Sequence, residues 1–383
     1  MGYIHVEVDS HQVAKKPGAS GDVVRVLRTK AATAVICCDG IGSGIKANLA
    51  ATMATQRLVE LLNGGWSLRK SFMQVARSMN RLRGQEVVYP YAVFSVAYIL
   101  NDGSATILTY ESPRPLLISR GHVSTLKLRT EMLGTEVVGE TECVLDPGEG
   151  VLLMTDGLTQ AGIGGRFVEG WSADGVQQCA ESLLARRIRP EQLPKCLVDR
   201  ALAHWGQVQG DDCTALLARC RKGVPVNIFT GPPANPQMDE KTVKRFMDAE
   251  GLRIVAGAET ARIVSRCTGK ELGIEANPSS LITPPKYEID GIDLVSEGAV
   301  TLNQVYNVLD ADPAGFEETS AVTEMVELLR LADRVNFLLG TAENPANKSL
   351  TFRQQGIVSR GNIVPLIAEK LRDQGKLVVV ERV

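Results

Sequence analysis

Three apolar runs in this chain each carry an aspartate at one end. Asp39 closes TAVICC, Asp156 closes GVLLMT, and Asp211 with Asp212 opens CTALLARC. A short Val/Ile/Leu-rich run bounded by glycine reads as a buried strand, so each carboxylate stands where a core strand reaches the surface. Acids gathered on neighbouring strand ends repel one another and resist ionisation unless cations lie between them. The simplest expectation is an oxygen-ligand site for Mg2+ or Mn2+.

At 383 residues the chain exceeds one ordinary core, which predicts two domains. The 42 Lys/Arg nearly balance the 44 Asp/Glu, so no attraction to nucleic acid is expected. The opening MGYIHVEVDSHQVAKKPG alternates like a strand and lacks the basic, apolar, small-residue order of a signal peptide. No apolar run approaches the roughly 20 residues that span a bilayer. These features predict a soluble, cytoplasmic protein with no membrane contact. None of the eight cysteines pairs as C-x-x-C, and several lie inside apolar runs, which fits small core side chains in a reducing compartment.

Residues 3 to 39 read as three strands. Leu68, Phe72, Val75, Met79 and Leu82 then recur on one helical face, and Ile45, Leu49 and Met53 start a similar stripe before them. From Tyr91 the pattern returns to strands through YAVFSVAYIL, SATILTYES, RPLLISRG, VSTLKLR, TECVLD and GVLLMTDG, with a hairpin turn at Asn101-Asp102-Gly103. Helical stretches at 172–186 and 190–205 precede a closing strand. This order predicts an α+β fold in which two mainly antiparallel sheets pack face to face with helices outside, a four-layer α/β/β/α sandwich over 1–222. Residues 223–383 change character: strand and helix alternate, with DEKTVKRFMDAEG a helix ended by Gly251, predicting a smaller α/β domain.

Divalent-metal phosphate chemistry needs hard oxygen ligands, one of them shared when two ions sit close together. An Asp-Gly pair serves it: the carboxylate bridges and the glycine lets its own carbonyl reach the second ion, although Asp-Gly alone is also a common turn. The ordered set is more specific: S-G-D at Ser20–Asp22, C-D-G-I-G-S-G at Cys38–Gly44, L-D-P-G-E-G-V-L-L-M-T-D-G at Leu145–Gly157, and G-D-D-C-T at Gly210–Thr214. It resembles the PP2C-type metal-dependent serine/threonine phosphatases, and within them the bacterial stage II sporulation phosphatase branch. The resemblance covers roughly residues 1–222.

That resemblance implies that Asp39 bridges two Mn2+ or Mg2+ ions, that the Gly40 carbonyl binds one, and that Asp156 and Asp211 hold the other, with a weaker third ion conceivable. It implies that Asp22, acting with Asp39 in catalysis, orients the attacking water, with Asp212 supporting the ligands from behind or standing as an exposed strand-end acid. A hydroxide bridging the ions would attack phosphorus in line, with no covalent enzyme intermediate. The expected activity is hydrolysis of phosphoserine or phosphothreonine in bacterial signalling, on a phosphorylated protein such as an anti-sigma-factor antagonist.

Several positions depart from the family pattern. The usual phosphate-gripping arginine before the early acid is missing from KKPGASGD, where Lys15 or Lys16 supplies a point charge or simply a solvated face. Gln160 replaces a glutamate, and Tyr110–Pro115 replaces an Asn-Ala-Gly-His segment. His11 is the candidate general acid among His11, His122 and His204, against a plain strand histidine.

The helices at 44–83 begin beside Asp39, so they read either as a switch on a metal ligand or as ordinary core helices. In the second domain, TGPP and VAGAETARIVSR offer tight turns that present N–H groups to an anion or merely connect strand to helix. That domain is expected to target or control the phosphatase.

Two rivals remain. A histidine-kinase-type nucleotide loop shares D-x-G-x-G at Asp39, but needs an Asn-bearing helix where this chain has strands, and leaves Asp156 and Asp211 idle. A catalytically inactive phosphatase fold acting as a phosphoprotein-binding scaffold would be expected to lack a metal aspartate, and none is missing.

Overall fold

The computed structural model describes residues 2–42, 44–83, 90–133, 136–206, 210–274, 287–311, 320–342 and 357–383; Ser43 of the first acidic motif lies outside them. The chain divides into two compact units, Ile4–Lys222 and Gly223–Val383 with Met1–Tyr3.

In chain order the first unit contains β1 (Ile4–Val13), β2 (Asp22–Arg28), β3 (Ala32–Gly40), α1 (Ile45–Asn63), α2 (Leu68–Arg83), β4 (Ala92–Leu100), β5 (Ser104–Tyr110), β6 (Leu116–Ser119) and β7 (His122–Thr125). It continues with β8 (Arg129–Leu133), β9 (Glu136–Val144), β10 (Gly150–Met154), α3 (Asp156–Thr159), α4 (Ser172–Ala185), α5 (Leu193–Trp205) and β11 (Cys213–Lys222). The strands form two antiparallel sheets, ordered β1-β11-β10-β6-β7 and β2-β3-β4-β5-β9-β8.

Strand alternation sends each apolar run to two different layers. In β3, Val35 and Cys37 pack between the sheets with Val6, Ile107, Leu153 and Leu216. Ile36 and Cys38 face the opposite way, against Ala50, Ala54, Leu58, Phe72 and Val75 of α1 and α2. On the far side, Leu152, Met154, Ala215 and Leu217 meet Val176 and Ala180 of α4 and Leu197, Val198 and Ala201 of α5. The result is the four-layer α/β/β/α sandwich, and the adjacent Cys37 and Cys38 are buried core side chains on opposite faces of one sheet.

The structure corrects some local expectations. Ile45, Leu49 and Met53 are 79%, 54% and 59% exposed, and α1 instead buries Ala47, Ala50, Ala51 and Ala54. Small side chains let the helix approach the sheet closely, and packing outranks the larger apolar stripe. VSTLKLR is not one strand: β7 stops at Thr125, and β8 and most of β9 fall in a stretch whose polar and glycine residues hide the period. A short helix, α3, follows β10 directly, starting on Asp156.

The second unit contains β12 (Pro225–Thr230), β13 (Leu252–Ala256), β14 (Gly273–Ile274), β15 (Tyr287–Glu288), β16 (Leu294–Ser296), β17 (Arg334–Leu339) and β18 (Leu377–Arg382), ordered β14-β15-β16-β13-β12-β17-β18. Five consecutive strands, β16-β13-β12-β17-β18, are parallel. Helices Asp239–Asp248 and Ala258–Thr268 cover one face through Val243, Phe246 and Val264. Ala299–Val308, Ala321–Leu331 and Arg360–Asp373 cover the other through Val305, Met325 and Ile367. This is a doubly wound sheet whose strand order reverses beside β12. The helix from Asp239 ends at Asp248, with Ala249 already extended, rather than at Gly251. Gly251 has φ +102° and packs on the Pro225 carbonyl, so it shapes the entrance to β13 instead. Among the described residues no helix is long and apolar enough to cross a membrane.

Candidate metal centre

Asp22 and Asp39 are directly paired across β2 and β3, which places both carboxylates on one side of the sheet edge. Like charges so placed destabilise a strand pair. Asp156 arrives from the other sheet, at the end of β10, and Asp211 precedes β11 beside it. Burial, then the charges of Asp22 and Asp156, push the Asp39 carboxyl up to about 9. Burial is also the main cause that raises Asp22 to about 7, against the hydrogen bonds from Thr214 and Thr155. Asp156 is raised chiefly by burial, with Asp211 adding to it. A cation among carboxylates so placed would ionise them.

Asp22 is gripped from one side. Its Oδ2 accepts hydrogen bonds from Thr155 Oγ1 at 2.9 Å and Thr214 Oγ1 at 2.6 Å, while Oδ1 is buried without a partner among the described residues. Thr155 stands at the N-cap of α3, yet its hydroxyl does not cap the helix: it donates to Asp22 and accepts from Thr214 N at 3.0 Å. Asp156 shows the same asymmetry, with Oδ2 accepting from Gln160 Nε2 at 2.7 Å and Oδ1 buried without a partner. Gln160 therefore orients the carboxylate without adding another charge. Buried oxygens left open in a cluster of acids are what a hard cation would satisfy. Among the described residues no three of these groups form a ready-made cage, however, and Asp211 is engaged by Lys15 Nζ, 3.9 Å from its Oδ1.

Asp212 is buried, not an exposed strand-end acid. Its Oδ1 accepts from Lys15 N and its Oδ2 from Gly21 N, both at 2.7 Å, so it clamps the loop that delivers Asp22. Asp212→Ala removes two charge-assisted bonds, and urea unfolding in EDTA is expected to show a loss of about 3 kcal/mol.

Gly40 also serves the packing of the fold. A Cβ there would lie 1.9 Å from the Ala47 carbonyl oxygen, so the missing side chain makes room for α1. Gly40→Ala is expected to destabilise the protein by about 2 kcal/mol, measured by thermal unfolding. Asn48 of α1 also donates to Ser20 O at 2.7 Å, so the first turn of α1 touches β3 at Gly40 and the turn that leads into Asp22.

Of the remaining candidates, Lys15 lies at the cluster and Lys16 is exposed beside it. His11 pairs with Ala215 within the sheet, His122 is exposed next to Glu181, and His204 packs between Phe167 and Trp171. Cys213 Sγ lies 3.3 Å from Gly157 O, and burial pushes its thiol up to about 12, far from a nucleophilic thiolate. Trp205 Nε1 donates to the same Gly157 carbonyl at 3.1 Å, tying α5 to the Asp156 turn. Sequence reasoning missed Thr155, Thr214 and Trp205, whose partners are distant in the chain. The Thr that precedes Asp156 and the Thr that follows Asp212-Cys213 were the available signals.

Residues 29–221 match the family model described as stage II sporulation protein E (SpoIIE). The chain belongs to the SpoIIE family. It is therefore a PP2C-type protein serine/threonine phosphatase of bacterial signalling. No curated protein matches the sequence. Among solved structures, the RsbU and RsbW domains of Rv1364c from Mycobacterium tuberculosis are 17% identical, with a TM-score of 0.48 over 64% of this chain and 68% of that one. The PP2C phosphatase domain of SpoIIE from Bacillus subtilis, with a fragment of its regulatory domain, is 16% identical, with a TM-score of 0.46 over 58% of this chain and 63% of that one. RsbX in complex with magnesium is 15% identical, with a TM-score of 0.39 over 57% of this chain and 99% of that one. The SpoIIE match ends one residue before Lys222, the last residue of the first unit.

Proposed function

We propose that the aspartate cluster holds two Mn2+ or Mg2+ ions, and that the enzyme uses them to remove phosphate from serine or threonine of a protein substrate. In this reading Asp39, the Gly40 carbonyl, Asp156 and Asp211 would hold the ions. The observation that carries it is the burial of Asp22, Asp39 and Asp156 together, with open oxygens on Asp22 and Asp156. When bound, the ions supply an activated water for in-line attack and neutralise charge at phosphorus. Asp22, fixed by two threonine hydroxyls, keeps Oδ1 as the acceptor that orients the attacking water. Lys15, whose Nζ lies 3.9 Å from Asp211 Oδ1, would supply a positive charge for the substrate phosphate, with Lys16 adding charge at the rim.

An inactive scaffold would have no use for several repelling carboxylates at one point. Calorimetric titration of the full chain with Mn2+ tests the reading: two ions per chain are expected, with at least one lost in Asp39→Asn and in Asp211→Asn. Binding that is unchanged in both variants would contradict it.

The protein substrate is assigned by the family's chemistry, an anti-sigma-factor antagonist being the first to try. Capture of phosphorylated but not unphosphorylated antagonist by Asp211→Asn is the expected result. We further propose that the doubly wound unit controls or targets the phosphatase, and that α1 transmits control to Asp22 and Asp39. Asn48→Ala should then weaken Mn2+ binding although Asn48 is no ligand.

A further inference from the structure

A second chemically distinct site lies in the first unit, between α4, α5 and the segment that leads from α3 into α4. It is a cleft of about 430 Å3 whose lining includes Phe167, Trp171, Cys179, Arg186, Arg200 and His204. That volume is in the range of ligand-binding clefts, roughly 300–1,000 Å3. Arg166 stands at its edge, with Nη1 3.2 Å from His204 Nδ1 and its guanidinium over the Phe167 ring. The cleft thus gathers Arg166, Arg186, Arg200 and His204. No ion pair to an acid engages any of the three arginines among the described residues, whereas the neighbouring Arg189 and Lys195 are paired with Glu191 and Asp199. Burial, then Arg166 and Arg200, hold the His204 imidazole below its ordinary range, so the positive charge of the cleft is that of its arginines. What relieves such a cluster is an anion.

The cleft is also wired to the aspartate centre. Gly162, with φ +76°, packs on the His204 carbonyl, and Gly170, with φ +84°, packs on Thr159 and Gln160. Trp205, next to His204, donates to Gly157 O. One continuous segment, residues 156–171, therefore has Asp156 at one end and the cleft wall at the other.

We propose that this cleft docks an acidic segment of the phosphoprotein substrate, so that the enzyme selects phosphoserines flanked by aspartate or glutamate. The inference rests on the phosphoprotein reading above, and charge complementarity commits it to an acidic peptide. Exposed pairs of this kind are individually weak, and salt weakens them further.

The test compares the full-length wild type with Arg186→Glu/Arg200→Glu on three Mn2+-supported substrates: p-nitrophenyl phosphate, a phosphoserine peptide with acidic flanks, and the same peptide with neutral flanks. The expected result is a three- to tenfold or greater rise in KM for the acidic peptide alone, with kcat and p-nitrophenyl phosphate turnover unchanged. An unphosphorylated acidic peptide should compete with the acidic substrate but leave p-nitrophenyl phosphate untouched. Wild-type turnover of p-nitrophenyl phosphate without any preference between the peptides overturns the docking inference and leaves the phosphatase reading intact. Equal inhibition of p-nitrophenyl phosphate turnover by the acidic peptide also overturns it, because the peptide would then bind at the aspartate centre. Absence of p-nitrophenyl phosphate turnover by the wild type sinks the phosphatase reading itself.

Discussion

Asp39→Asn is expected to abolish Mn2+-dependent phosphatase turnover while raising the melting temperature of the EDTA-treated protein. Two opposite effects from one substitution follow from the position of Asp39. It is paired across the β2–β3 ladder with Asp22 and is also close enough to Asp156 for that charge to raise its carboxyl. Without cations this repulsion and the burial of the group force the fold to keep Asp39 protonated, at a cost the unfolded chain does not bear. A neutral amide of the same shape avoids that cost and keeps the packing. Stabilisation of about 1 kcal/mol would raise Tm by roughly 2–4 °C for a unit of this size. The activity loss should exceed the 10- to 100-fold that removal of a ligand's supporting partner typically causes, because a shared ligand itself is gone. A variant that is less stable in EDTA, or one that keeps its activity, would show that Asp39 is an ordinary structural carboxylate.

The second large effect is a metal-dependent reversal of the pH profile of stability. Asp22 and Asp39 are raised from 3.8 to about 7 and about 9, so between these limits the folded protein holds protons that the unfolded chain releases. The stability linked to those protons is present below pH 3.8 and is lost as pH rises through about 7 and then about 9. Ions compete with the same protons, so their affinity increases over that interval. Thermal scans from pH 6 to 9 should therefore show Tm falling in EDTA, and Mn2+ should raise Tm by an increment that grows with pH. An Mn2+ increment independent of pH would separate metal binding from these carboxylates.

The strand ends were legible because an apolar run closing on Asp-Gly is a local signal, and Asp39 from one sheet meets Asp156 and Asp211 from the other. Asp22 was legible only through the family motif, since the short S-G-D turn has no chemistry of its own. The Thr155 and Thr214 hydroxyls were hidden: each looks like a common strand-end residue until the sheets bring them to Asp22, 133 and 192 residues away in the chain. Asp212 and Gly40 carried the right residue type with incomplete reasons, one clamping a loop and the other admitting a helix backbone. Periodicity misled at α1, where alanines rather than Ile45, Leu49 and Met53 face the core, because close approach rewards small side chains. In the second unit alternation revealed strands and helices. The reversal of strand order beside β12 could not be read locally, because parallel pairing joins segments far apart in sequence.

The central claim, that this aspartate cluster is a working two-ion phosphatase centre, is tested most directly by initial rates of phosphate release from a phosphoserine peptide. Wild type should be inactive in EDTA and active on Mn2+ addition, with Asp39→Asn and Asp156→Asn inactive at every Mn2+ concentration. Wild-type activity that survives EDTA, or full activity in both variants, would contradict it.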